Sequence, residues 1–244
     1  VSQINKIAYL EDESIKISRG QVKGVIPVHK FGAVNSLSTS TTGTIWDVND
    51  TIYPWASWST ATSPVVSSTS ASDVGKKITI VGLDGNYNLV EAEVTLTTQN
   101  GNTNAQNFIR IFRAYVSSGT TNVGNINITV DGVVVCRITA GYGQTLMTVY
   151  TIPAGYTGYL YKGTCSAQSG ADGTGNMFVR YFGQSSFRIA HTFEVVGSGA
   201  QYEYTFSFPP EIPEKSDIDV RITTRSNNGR YTSAFDLLLV KNPN

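Results

Sequence analysis

The sequence predicts an all-β protein: an antiparallel β-sandwich of jelly-roll type with an extended N-terminal arm. Three observations predict it. From Lys77 onward, short runs of β-branched and aromatic residues alternate with Gly, Asn, Asp and Pro, the punctuation of a sandwich. Two Asp-Gly pairs, Asp131-Gly132 and Asp84-Gly85, stand between such runs, and Asp-Gly readily takes the positive φ angles of a hairpin turn. Helical periodicity is almost absent, so a chain of 244 residues must bury its core between sheets.

The elements follow in order. Residues 1–75 read as the arm and an aromatic-rich attachment segment, and residues 76–244 as the sandwich. Charge is densest before residue 30, with Glu11, Asp12 and Glu13 beside Lys6, Lys16, Arg19, Lys23 and Lys30. Residues 35–73 are rich in Ser and Thr around an island of Trp46, Tyr53, Trp55 and Trp58, which holds all three tryptophans. Burying such rings contributes about 2 kcal/mol each or more, so they must cover something. Ordering an arm costs about 1–2 kcal/mol per residue, which implies a surface for it to lie on: the sandwich, a sister subunit or another protein.

Within the body, Lys77 to Val81 pairs with Leu89 to Leu96, and Asn125 to Val130 with Val133 to Ile138. In Phe187 to Val195 the odd positions Phe187, Ile189, Phe193 and Val195 share a face with His191. Tyr202, Tyr204, Phe206 and Phe208 alternate with polar residues until Pro209-Pro210 stops the strand. Ile218, Val220 and Ile222 repeat the alternation, and Phe235 to Val240 closes the chain. With the runs near residues 108, 146, 159 and 177 the pattern gives about ten strands in two packed sheets.

Composition excludes several classes of function. Eighteen basic and 18 acidic side chains cancel, leaving no field to draw in a nucleic acid. The first residues lack a basic segment followed by an apolar run, and no apolar stretch is longer than the four residues of Leu237 to Val240, so a soluble chain with no membrane partner is expected. Cys136 and Cys165 are too few for a disulfide framework, and Cys136 reads as a small core hydrophobe. The sequons at Asn49 and Asn127 read as chance.

Candidate chemistry is sparse. His29 and His191 are the only histidines, no Gly-x-Ser-x-Gly elbow occurs, and neither histidine is placed for a triad. Two cysteines and two separate histidines make no zinc site, and Asp47, Asn49 and Asp50 lack the glycine and glutamate of a calcium loop. Glu211, Glu214, Asp217 and Asp219 could supply paired carboxylates for glycoside cleavage, yet they read first as the wet outer face of an edge strand. No catalytic residue, metal or cofactor is therefore expected. The island with Asn49 and Asp50 is the candidate binding site, either anchoring the arm on protein or stacking a sugar.

Five blocks carry a resemblance: Thr44 to Asp47 with Tyr53 to Trp55, Val81 to Tyr87, Gly141 to Met147 running on to Gly155, Ile212 to Ile218, and Ala234 to Val240. Together they resemble a family of virion structural proteins of tailed bacteriophages, common in marine phages. The resemblance implies a non-enzymatic virion component whose partners are the major capsid protein or other virion proteins, with copies of itself in a homo-oligomer. A capsid decoration or cement protein gripping the shell through its arm is the first expectation. A tail, neck or fibre component with a receptor- or glycan-binding role is the second.

Overall fold

The computed structural model describes residues 13–57, 60–197 and 199–243. They contain a short helix α1 (Glu13–Ser18) and sixteen strands: β1 (Val25–Leu37), β2 (Thr42–Thr44), β3 (Val65–Ser68), β4 (Lys77–Leu83), β5 (Leu89–Thr95), β6 (Arg110–Val116), β7 (Ile126–Val130), β8 (Val133–Ile138), β9 (Val149–Thr151), β10 (Tyr156–Ala167), β11 (Gly173–Arg180), β12 (Arg188–Val195), β13 (Gln201–Thr205), β14 (Glu211–Ile212), β15 (Asp217–Thr224) and β16 (Gly229–Lys241). The fold is all-β, and every named strand pair is antiparallel.

The strands form four sheets rather than the two expected. One runs β1-β16-β10-β13 with β14 on β10, a second β12-β11-β15-β2 with β9 on β15, a third β3-β7-β8 and a fourth β5-β4-β6. Strict alternation along β16 buries Tyr231, Ser233, Phe235, Leu237 and Leu239, and along β11 it buries Gly173, Gly175, Met177 and Val179. These inner faces meet over Leu160 and Val220. Ile78, Ile80, Ile126, Ile128 and Phe108 fill the smaller sheets, and one hydrophobic cluster runs through all four.

Both Asp-Gly hairpins form. Asp131 and Gly132 take φ of 50° and 80° between β7 and β8, as a type I′ turn requires. Asp84-Gly85 lies in the longer loop between β4 and β5, where the Asp84 carboxylate accepts from the Asn86 and Asn88 amides.

The segment read as an arm is not laid outside the body. β1 pairs with β16 from Val25 to Leu37, β2 pairs with β15, and β3 with β7. The boundary at residue 76 therefore has no counterpart in the sheets. The reason lies in the inward positions of β1: Val28, Lys30, Gly32 and Val34 follow one another there, and a lysine and a glycine break the apolar alternation that would announce a strand. Gly32 is required, because a Cβ at that position would stand 2.5 Å from the Ile45 carbonyl oxygen. Only that absence lets the chain before Trp46 cross so closely beneath β1.

Candidate functional site

The aromatic island occupies the seam between the larger and smaller sheets. Trp46 is 1% exposed, Tyr53 2% and Trp55 7%. Trp58 lies outside the described residues. Tyr53 stands at the centre, edge-on to Trp46 at 5.3 Å and to Trp55 at 4.6 Å. Its hydroxyl donates to the Ile111 carbonyl of β6, and Trp46 Nε1 donates to the Thr51 carbonyl. The structure thus brings three of the four predicted site residues together, but turns them into the chain's own interior. They offer no open platform for a sugar and no surface for a neighbour.

Trp55 leads to the polar centre of the molecule. Its Nε1 donates to Asp219 Oδ2 at 2.9 Å, and the guanidinium groups of Arg110 and Arg180 each lie 5.5 Å from its ring. Thr44 Oγ1 and Arg221 Nε also donate to Asp219. Two residues along β15, Asp217 accepts from Arg110 Nε and Nη2, from Arg180 Nε and Nη2, and from Thr151 Oγ1. The carboxylates do share a face, as their spacing implies. That face is not wet, and β15 is not an edge strand: β11 flanks it on one side, β2 and β9 on the other, and Asp217 and Asp219 are buried.

Burial pushes the Asp219 carboxyl above the usual carboxylate range, with Arg221, Trp55 and Thr44 holding part of that shift back. Burial also works against the charge of Arg110, but hydrogen bonding to Asp217 and the aspartate's charge prevail and raise the guanidinium pKa. Asp217 and Asp219 already take eight hydrogen bonds between them from side chains of β2, β6, β9, β11, β15 and the island. The arrangement ties segments together. Of the other acidic candidates, Glu211 is exposed and Glu214 accepts from the Gly155 amide.

The remaining titratable groups are scattered. His191 is half-buried among Tyr202, Tyr204 and Phe206, its Nε2 is 2.7 Å from the Tyr202 hydroxyl, and burial lowers its pKa. His29 pairs with Asp236 on the outer face of the first sheet. Cys136 and Cys165 are buried free thiols, both pushed up by burial, the Cys165 thiol to about 12. Lys30, which the sequence placed among the charged residues of the arm, is buried beneath β1 and donates to the Phe112 carbonyl. Burial lowers its pKa to about 7, with Cys136 opposing the shift and Arg113 adding to it. Asp47 is raised to about 6, chiefly by burial, against hydrogen bonds led by that from Thr139.

Three surface features remain. Helix α1 lies over the outer face of the first sheet, where Ile17 of the helix and Pro27, His29, Tyr161, Asp236 and Leu238 of the sheet line a groove of about 640 Å³. The outer edge at β12 and β13 exposes Ile189, Tyr204 and the nearby Phe208. A corner of loops carries Tyr87, Phe182 and Lys215 in mutual contact. Sequence alternation counted Phe208 with a buried face and gave no signal for the loop corner.

No family model matches the sequence, and no curated protein matches it. Among solved structures, a chain of the infectious bursal disease virus Gx strain is similar at 11% identity and a TM-score of 0.28, over 90% of this chain and 72% of that one. A chain of the cowpea mosaic virus top component, described as naturally occurring empty particles, gives 11% and 0.23 over 75% and 82%. The VP2 subviral particle of infectious bursal disease virus gives 12% and 0.22 over 91% and 72%. Likenesses this distant carry no argument about the chain.

Proposed function

We propose that the protein is a virion structural component of a tailed bacteriophage, a capsid decoration or cement protein, with its two larger sheets forming a jelly-roll-type sandwich. The sequence blocks support the family. The observation that carries the mode of attachment is the contrast between body and leader. From Val25 onward the chain is woven into sheets, whereas α1 buries none of its residues and rests on the outer face of the first sheet. The attachment element is therefore the part of the chain before Val25, and not the tryptophan island. A body fastened internally by ion pairs and rings transmits load between neighbouring subunits, including other copies of itself, which is what a cement does.

The test uses particles of the parent phage stripped of this protein. The full chain should rebind them, while a chain beginning at Val25, which keeps every strand, should fold with an unchanged circular dichroism spectrum and fail to rebind. Undiminished rebinding removes the tether. Absence of the chain from purified virions removes the structural role altogether. A tail, neck or fibre station with a glycan-binding role is the second reading, favoured by the loop corner rather than by the island.

A further inference from the structure

The corner formed by the β4–β5 hairpin, the loop after β9, the turn after β11 and the loop before β15 is fastened by backbone bonds between distant segments. The Ala154 amide donates to the Tyr87 carbonyl at 2.9 Å and the Lys215 amide to the Ile152 carbonyl at 2.8 Å. Two residues in contact here, Tyr87 and Lys215, hold left-handed backbone, with φ of 65° and 61°. Each sits in a tight turn, where glycine or asparagine would take that conformation at less cost. A ring-bearing residue there is a steric outlier, and such outliers persist where the side chain is needed.

Those side chains converge on Phe182. The ring stands at the second position of a turn closed by the Gln184 amide on the Tyr181 carbonyl, with Gly183 at φ 77° supplying the bend. It is 58% exposed. Tyr87 meets it edge-on at 5.5 Å, and Lys215 Nζ lies 5.1 Å from its centroid. Among the described residues the contacts of the Lys215 ammonium are with the two rings, and no carboxylate pairs with it. Asn86 and Gln184, on the same loops, are exposed amides able to donate to and accept from hydroxyl groups.

We propose that this corner binds an anionic sugar, a hexuronic acid unit of a polysaccharide, with the apolar face of its ring on Phe182 and its carboxylate toward Lys215. An exposed aromatic face supplies the stacking surface, the amides supply hydroxyl partners, and the uncompensated ammonium selects the acid over the neutral sugar. The inference does not rest on the chain's being a particle component, and it stands or falls without particles.

The full chain is applied to an array of galacturonate, glucuronate and mannuronate oligomers printed beside their neutral hexose counterparts. Uronate signals should exceed the neutral ones. Phe182→Ala should weaken binding to the strongest uronate at least tenfold, with the elution volume of the protein unchanged. Lys215→Gly should bring acid and neutral signals level while raising the melting midpoint, because glycine relieves the left-handed position. An array blank for every uronate overturns the proposal, as does wild-type binding by Phe182→Ala. A change of oligomeric state in Phe182→Ala also overturns it, since the ring would then belong to an interface between copies. Retained acid preference in Lys215→Gly removes the lysine's role.

Discussion

At Asp217 two guanidinium groups and a hydroxyl converge on a carboxylate that solvent barely reaches, only 3% of the residue being exposed. Such a pair adds little net stability over well-packed apolar groups, since taking both charges out of water costs nearly what their attraction returns. Removing one partner is different. Asp217→Asn leaves Arg110 charged and buried, and should cost about 3–5 kcal/mol in urea denaturation. The double variant Arg110→Met with Asp217→Leu should lose clearly less than the two single losses combined, because no orphaned charge remains. Strict additivity would mean that the two side chains do not act as a pair. Arg180, at the rim of the cluster, can turn outward in the double variant.

Among the elements, the strands differ in how plainly their residues announce them. β7 and β8 combine strict alternation with an Asp-Gly turn, so local chemistry and tertiary position agree, and the hairpin was legible. β12 was legible only in part. Its pairing with β11 shifts register between Met177 and Phe178, opposite Ala190, which puts Ile189 on the outer face, 59% exposed, although alternation assigns it inward with Phe193. A bulge leaves no mark in the hydrophobic pattern. β1 was missed because its inward face holds Lys30 and Gly32, and the island was misplaced because its polar neighbours are consumed inside: Thr44, fully buried, bonds both Asp219 and the Tyr53 amide. Serine and threonine density reads as surface until the buried partners are known. The same reasoning separates two glycines in paired strands. Gly32→Ala forces a methyl group against backbone and should cost about 2 kcal/mol or more, whereas Gly163→Ala on β10, with nothing within 4 Å, should be neutral or stabilise by about 0.5 kcal/mol. Equal melting midpoints for the two variants would remove the close-approach argument.

Across the whole molecule, the buried titratable groups set how stability follows pH. Lys30 has a folded pKa of about 7, depressed from its unfolded value near the lysine norm of about 10.4. Its favourable contribution is therefore complete above the unfolded value and is lost as pH falls through 7. Between those limits the unfolded chain binds the extra proton, so stability rises with pH. Asp47 has the opposite displacement, raised to about 6, so its contribution is complete below about pH 4 and lost as pH rises through 6. Cys136 and Cys165, raised by burial, turn the slope downward once unfolded thiols ionise above about pH 8.5. The window from pH 7 to 8 isolates the lysine best: Asp47 is ionised in both states there, and the unfolded thiols are still mostly protonated. Wild type should gain on the order of 0.5–1 kcal/mol in urea denaturation across that window, less than one full proton's worth because Lys30 is already half deprotonated in the folded state at pH 7. Lys30→Met, which keeps the volume of the stem and removes the amine, should be more stable than wild type at pH 7 and nearly flat to pH 8. A flat wild-type profile, or an undiminished slope in Lys30→Met, would mean that the amine beneath β1 does not change its protonation on folding.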